Sequence, residues 1–306
     1  MQSKFIKSAM NYTGGKYKLL PQLFPLFPEN FTRFVDLFAG GAVVSANIAA
    51  QKNTVKEIIV NDINEPVIDF YKLLSSNDKE VLSDGLASLI QQYGLSETSN
   101  KGYEFYGLDS SEGVGKHNKD KYIKLRNDYN NGKFEGVKKD LAFYLLVVYG
   151  FNNQIRFNSK GEFNLPVGKR DFNLAMQNKL NEFHTALQQN KYQFISEDFR
   201  ELTDFDTETF IYCDPPYRIT TASYNENGGW GLQDDLDLFD YLDKADKAGA
   251  KFALSNVVLH KNQENLELVK WSAKYNFYVL NYNYDNSNYH SGAKKSSTVE
   301  VLVTNY

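Results

Sequence analysis

The stretch Phe34-Val35-Asp36-Leu37-Phe38-Ala39-Gly40-Gly41 decides the fold. Its β-prone apolar run stops at two glycines. A helix-like segment follows, Val43 to Gln51, and then a second apolar run, Glu57-Ile58-Ile59-Val60, which ends at Asn61-Asp62. The order is strand, glycine turn, helix, strand, acid. Glycines at the end of a first strand let backbone approach a partner closely, and an acid at the end of the second can bind ribose hydroxyls. The phosphate fingerprint G-x-G-x-x-G is absent, which disfavours a dinucleotide. Asn64 is placed to cap a third element, with Pro66 in its first turn, running to about Leu74.

The same rhythm returns later. A helix is expected from about Leu174 to Gln189. Strands are expected at Tyr192–Ser196, Phe210–Cys213, Lys251–Ser255, Phe277–Asn281 and Val299–Thr304, with helices near Asp234–Lys247 and Asn262–Ser272. Alternating βα units imply an α/β domain with a mostly parallel sheet covered on both faces. The last two strands have no crossover helix between them, only the loop Tyr282 to Ser297, so they should pair antiparallel.

Between the two halves, residues 75–170 are rich in Lys, Asn, Gly and Tyr. This is an insertion in a split domain formed by residues 1–74 and 171–306. Asp140 to Val148 reads as a buried helix, and Ile155 to Val167 as a hairpin turning at Ser159-Lys160-Gly161. The insertion is mainly helical and basic: Lys116, Lys119, Lys121, Lys124, Arg126, Lys133, Lys138 and Lys139 outnumber Asp120, Asp128 and Glu135. The net charge of −4 argues weakly against a nucleic-acid partner, but charge distribution is the better guide. A solvated helix face would leave the same basic pattern.

Other classes are disfavoured. The longest apolar run, around Leu141 to Tyr149, is too short to span a bilayer, and Met1 to Ala9 lacks a signal peptide's apolar stretch, so the cytoplasm is the default. Cys213 stands alone, and His117, His184, His260 and His290 have no ligand spacing, so neither a disulfide nor a metal is expected. Gly14-Gly15-Lys16 fails as a phosphate loop: Met10 stands where a glycine is needed, and Tyr17 where Ser or Thr is needed.

The chemistry concentrates at Ile211-Tyr212-Cys213-Asp214-Pro215-Pro216-Tyr217. An apolar strand ends in an acid, two prolines and an aromatic. The prolines fix an extended turn without two N–H donors, which leaves carbonyl groups free to accept. An exocyclic amine has two hydrogens to give, and the Asp214 carboxylate and Pro215 carbonyl can take both. Tyr217 supplies a flat face for a base removed from a duplex. On this reading its ring acts and its hydroxyl does not. Cys213 reads as a buried strand residue rather than a nucleophile.

In this order the motifs resemble the Dam-like (D12 class) family of N6-adenine DNA methyltransferases. The resemblance runs through NYTGGKYKLL (11–20), DLFAGGAVV (36–44), VNDIN (60–64), FNNQIRFNSKGEFNLPVG (151–168), EDF (197–199), DPPY (214–217) and VEVLVTNY (299–306). It implies a Rossmann-like methyltransferase domain in residues 1–74 and 171–306, with 75–170 as the target-recognition insertion. It implies S-adenosylmethionine as cofactor, held by Tyr12, Lys16, Asp36, Phe38, Gly40, Asp62, Asp198, Phe199 and Asp214. It implies catalysis at Asp214, Pro215, Pro216 and Tyr217, by direct transfer to a flipped adenine. Duplex DNA is the implied partner, met by Arg156, Asn158, Lys121, Lys124 and Arg126. A cognate restriction endonuclease acting on the same site fits this class, beside evasion of phage defence and gene regulation.

Asn11-Tyr12 departs from the Lys-Trp of many relatives, and the Gly- and Asn-rich loop Arg218 to Gly231 departs as well. The alternative readings are N4-cytosine methylation, methylation of RNA or protein amines, and a non-catalytic DNA-binding regulator on the same scaffold. The aspartate at the first motif position and the whole-chain resemblance favour adenine over cytosine, the basic insertion with its hairpin fits duplex DNA better than RNA or protein, and the intact DPPY and cofactor set argue against a non-catalytic regulator.

Overall fold

The computed structural model describes residues 5–189, 191–220, 229–281 and 298–306. The loop 282–297 expected from the sequence, and most of the loop between Arg218 and Gly231, lie outside the described residues. The chain divides into two compact units: Met1–Gly15, Gly40–Ala50 and Asn64–Asn190 in the first, and Lys16–Ala39, Gln51–Ile63 and Lys191–Tyr306 in the second.

The second unit is built on one sheet. Its strands are β1 (Arg33–Asp36), β2 (Glu57–Asn61), β3 (Tyr192–Ile195), β4 (Thr209–Cys213), β5 (Lys251–His260), β6 (Gln263–Glu264), β7 (Asn276–Leu280) and β8 (Thr298–Thr304). The order is β3-β2-β1-β4-β5-β8-β7, with β6 paired to β5. Strands β3, β2, β1, β4 and β5 are parallel, and β8 runs antiparallel to both β5 and β7, as expected for the last pair from the sequence. The order reverses direction beside β1 and β4, the switch point where open α/β sheets place ligands beyond the strands' carboxyl ends.

Alternation along the strands sets two faces. Val35, Ile211, Cys213, Leu254 and Val301 join a core with Leu238, Leu242 and Leu268, which come from α9 (Leu232–Lys247) and α10 (Leu266–Ser272). On the other face Phe34 and Phe210 pack with Phe27 and Phe31, and the Tyr306 hydroxyl donates to Leu26 O. Cys213 is fully buried in the first of these layers, as its strand position implied.

One expected element is shorter. The helix expected from Asn262 starts only at Leu266, because Asn265 caps it by accepting from Leu268 N. Lys261 and Asn262 instead take positive φ and turn the chain back, so that Gln263 and Glu264 pair with the end of β5.

The first unit is mainly helical: α2 (Val43–Gln51, whose last residue falls in the second unit), α3 (Glu65–Ser76), α4 (Lys79–Tyr93), α5 (Thr98–Lys101), α6 (Gly115–Asn130), α7 (Gly136–Val148) and α8 (Leu174–Leu187). The expected recognition segment 75–170 lies wholly inside it. Helix α7 is buried throughout Leu141–Val148, consistent with its unbroken apolar run.

The hairpin expected over Ile155–Val167 is not a continuous ladder. Only the isolated bridges Phe157↔Phe163 and Gly150↔Val167 form. Backbone bonds from Asn158 N to Glu162 O and from Asn164 N to Arg156 O join its two arms, and α6 side chains brace it: Asn130 donates to Phe163 O and accepts from Phe163 N, and Arg126 and Tyr122 both donate to Leu165 O. Asn158 closes the turn, its Oδ1 accepting from the Lys160 and Glu162 amides.

Candidate active site

Asp214 is the first residue beyond β4 and therefore stands at the carboxyl edge of the sheet. Lys16, which opens a short 3-10 turn (Lys16–Lys18), puts its ammonium 2.6 Å from Asp214 Oδ2 and 3.5 Å from Glu300 Oε1. Tyr217 bends back so that its hydroxyl lies 2.7 Å from Asp214 Oδ1 and 3.0 Å from Glu300 Oε1. The Lys16 ammonium also sits 5.2 Å from the centre of the Tyr217 ring. The glycine-lysine turn, the DPPY turn and the closing strand β8 thus meet in one ionic group. Sequence reasoning assigned no role to the Tyr217 hydroxyl, which here has two carboxylate neighbours.

The electrostatics follow from burial and an excess of acid. Burial alone would lower the Lys16 pKa, but Asp214 and Glu300 outweigh it and raise it, so the side chain stays an ammonium. Burial pushes the Asp214 carboxyl above the ordinary carboxylate range; Lys16 pulls it down and Glu300 adds to the rise. Burial, with Asp36 and Asp214 nearby, also pushes the Cys213 thiol well up, which removes it as a nucleophile.

Beside Asp214 along the same sheet edge, β1 ends in buried Asp36 and β2 is followed by buried Asp62. Asn61 ties the strand ends together: its Nδ2 donates to Leu37 O and Glu197 O, and its Oδ1 accepts from Glu197 N. Phe38 and Phe199 pack at 5.4 Å, and Trp230 closes on both. Asp198 caps the short turn Phe199–Glu201, accepting from Arg200 N and pairing with the Arg200 guanidinium.

Trp230 and Arg218, at the two ends of the divergent loop, both bind the fully buried Asp235, at 2.7 Å and 2.8 Å. Glu300, Asn61, Trp230 and Asp235 are site-forming residues that sequence reasoning missed. Asn61 and Glu300 stood inside the motifs VNDIN and VEVLVTNY without being singled out, whereas Trp230 and Asp235 carried no local signal.

In the first unit, Gly40 has φ +47, and a Cβ there would lie 2.9 Å from the Tyr12 ring. The close approach that requires glycine is to this aromatic. The Tyr71 hydroxyl donates to Gly40 O at 2.6 Å. Asn11 accepts from Lys179 Nζ at 2.6 Å, which brings an ammonium from α8 to this point.

The basic residues divide. Lys121 bonds His117, Arg126 holds the hairpin backbone, and Arg156 donates across the hairpin to Asn164 Oδ1 and O. Lys116, Lys119 and Lys124 are exposed on α6, with the Lys124 ammonium 5.8 Å from the Tyr93 ring. Among the described residues no cluster of His, Cys, Asp or Glu suits a metal, and no helix is long and apolar enough to cross a membrane.

The sequence profile of the D12 class N6 adenine-specific DNA methyltransferases matches residues 12–286. The chain belongs to this family. It is similar to the type II methyltransferase M.FokI of Planomicrobium okeanokoites (38% identity over 99% of this chain and 43% of that protein). It is also similar to the modification methylase StsI of Streptococcus sanguinis (37% identity, 99% and 43%). The type II methyltransferase M.MjaIII of Methanocaldococcus jannaschii shares 30% identity over 82% of this chain and 84% of its own length. The chain therefore spans less than half the length of the first two relatives.

Proposed function

We propose that this chain transfers a methyl group from S-adenosylmethionine to the N6 amine of an adenine flipped out of duplex DNA. The observation that carries the proposal is the DPPY turn held at the sheet edge by Lys16, with Asp214 partly open to solvent (19% side-chain exposure). Family membership supports the same reaction.

The sheet edge fits the cofactor by its chemistry. Two acids at strand ends, Asp36 and Asp62, suit ribose hydroxyls, the Phe38–Phe199 pair suits an apolar ring, and the Lys16–Asp214 pair offers both charges to an amino-acid zwitterion. Tyr12 and Gly40 join this set by the family resemblance, as does Asp198 through the EDF motif. Bound there, S-adenosylmethionine supplies a methyl group already activated by its sulfonium charge.

The protein's own work is positioning and charge stabilisation. Asp214 and the Pro215 carbonyl accept the two amine hydrogens, which draws the nitrogen lone pair out of ring conjugation. Pro216 keeps the turn extended, and the Tyr217 ring stacks on the base. Flipping costs a few kcal/mol, offset by contacts from the recognition segment. Lys121, Lys124, Arg126, Arg156 and Asn158 belong to that segment. The bonds that Arg126, Arg156 and Asn158 make inside it favour a shaping role, which leaves exposed Lys116, Lys119 and Lys124 to meet phosphate.

A substrate in chromosomal DNA places the protein in the cytoplasm. The named type II relatives suggest a cognate restriction endonuclease acting on the same sequence. Mapping of modified bases in DNA from cells expressing the chain tests the proposal. N6-methyladenine in one fixed sequence context is expected; methylated cytosine, or no mark, overturns it.

A further inference from the structure

Asp235 is fully buried near the start of α9, and its two oxygens take different partners. Oδ2 accepts from Arg218 Nε at 2.8 Å, and Oδ1 accepts from Trp230 Nε1 at 2.7 Å. A carboxylate is flat and rigid, so this single group fixes a guanidinium and an indole relative to each other. For stability alone a buried ion pair is often no better than apolar side chains of the same volume. What it supplies here is geometry. Arg218 directly follows the DPPY turn. Its guanidinium is also held by Asn265 Oδ1 at 2.9 Å and Glu267 Oε2 at 3.3 Å, at the start of α10. Its backbone lies in a tight turn in which Thr220 N and Oγ1 both donate to Tyr217 O at 3.0 Å. The exit from the DPPY turn is thereby tied to α9 and α10. The Trp230 ring stands nearly perpendicular to Phe38 at 5.4 Å and lies 5.8 Å from Phe199, while Phe38 and Phe199 are 5.4 Å apart. The three rings form a near-equilateral triangle in which Phe38 and Trp230 stay partly exposed. With its N–H committed to Asp235, the indole presents an apolar surface in one orientation.

We propose that Trp230 is a third aromatic wall for the adenine ring of the cofactor, and that Asp235 is a positioning residue that locks this wall to the catalytic turn through Arg218. This rests on the methyltransferase reading above, in which the Phe38–Phe199 pair receives that ring. In this scheme Trp230 touches the cofactor. Asp235 and Arg218 touch neither cofactor nor base; they act through Trp230 and the DPPY turn. A ring seated against Trp230 bears on the same carboxylate that fixes Arg218, so one buried group sets both the seat of the methyl donor and the line of the turn that receives the amine. Donor and acceptor must align closely, and a misplacement of about 1 Å costs on the order of 100-fold in rate.

The test compares the wild-type chain with W230A, W230F, D235N and R218K. Affinity for S-adenosylhomocysteine is measured by calorimetry, and single-turnover methyl transfer at saturating S-adenosylmethionine and duplex DNA. Tryptophan emission is followed during the titration. The chain has two tryptophans, and Trp271 is stacked on Phe239 with its N–H bonded to Asp243, so W230F isolates the Trp230 signal. S-adenosylhomocysteine should change the wild-type emission, and this change should disappear in W230F. W230A should bind about 10-fold more weakly, with W230F between it and the wild type, and both should approach the wild-type rate at saturation. D235N should lose about 10-fold in affinity and also slow the saturated step by about 10-fold or more. R218K keeps the charge but not the planar fork; it should slow the saturated step and leave affinity near the wild-type value. A merely structural role would not divide affinity from rate in this way. Wild-type affinity in W230A with no emission change overturns the wall. Wild-type transfer rates in both D235N and R218K overturn the lock. A wild-type chain that does not bind S-adenosylhomocysteine defeats the cofactor reading and the proposal with it. One that binds it but methylates no duplex defeats the functional reading alone, and the affinities and emission still decide the role of Trp230 and Asp235 at the ring.

Discussion

Lys16 Nζ lies 2.6 Å from Asp214 Oδ2, joining two turns that are 198 positions apart in sequence. Neither turn is informative alone: a glycine-lysine turn that fails as a phosphate loop, and a proline-rich strand end. Together they present a buried cation and a partly open carboxylate at the switch point of the sheet. Lys16→Met would leave Asp214 and Glu300 without their countercharge. Breaking a buried pair in this way costs about 3–5 kcal/mol. The loss should be smaller at pH 5 than at pH 8, because the raised Asp214 carboxyl can protonate when its partner is gone. Urea unfolding at the two pH values checks this.

Asp214→Asn presents an amide whose nitrogen end cannot accept and whose oxygen carries no full charge. The transition state, where the amine becomes tetrahedral, should lose more than the ground state. Turnover at saturating cofactor should fall at least about 100-fold, the scale for removing one preorganised group. DNA affinity, measured by fluorescence anisotropy, should be retained, since the basic residues of 75–170 are untouched.

Asp140 on α7 has its pKa raised to about 6 by burial and by Asp69 on α3. A folded-state value above the unfolded one means that the native state binds the extra proton. The group therefore costs no stability well below the ordinary carboxylate value, an increasing amount as pH rises toward about 6, and a constant amount above it. Asp140→Asn removes this cost. The variant should melt higher than the parent at pH 7.5, and the difference should shrink toward pH 4 and vanish below it. Calorimetric scans at both values check the sign.

Much of the architecture was legible because backbone pattern alone carries it. The glycines after β1 and the acid after β2 each act locally. Glu300 was not legible. In Thr298-Val299-Glu300-Val301-Leu302-Val303-Thr304 it falls on the more polar side of a period-two strand and reads as solvent-facing. It is buried because β8 lies between β5 and β7 and places that side toward Lys16 and Tyr217. The hairpin over Ile155–Val167 was legible from its alternation and turn residues, and Phe157 pairs with Phe163 across that turn; what no local pattern announced is that Asn130, Arg126 and Tyr122 of α6 bond to Phe163 and Leu165 as well. Asp235 gave no sign of being special among the acids of α9, and only packing selects it to bind both Arg218 and Trp230.

Exposed Lys119 on α6 is the simplest probe of DNA contact. If it meets phosphate, Lys119→Ala should weaken binding about equally for all sequences and reduce the salt slope by about 1. Arg156→Ala should act differently. Its guanidinium braces the hairpin through Asn164, so the variant should alter discrimination between sequences. Binding titrations over a salt series, with matched and mismatched duplexes, separate the two.

The central claim is tested most directly by incubating the chain with duplex DNA and isotopically methyl-labelled S-adenosylmethionine, then digesting the DNA to nucleosides for mass spectrometry. The account predicts label on N6-methyl-2′-deoxyadenosine from the duplex, nearly abolished by Asp214→Asn. Label on cytosine, or equal labelling by the Asp214→Asn variant, would contradict it.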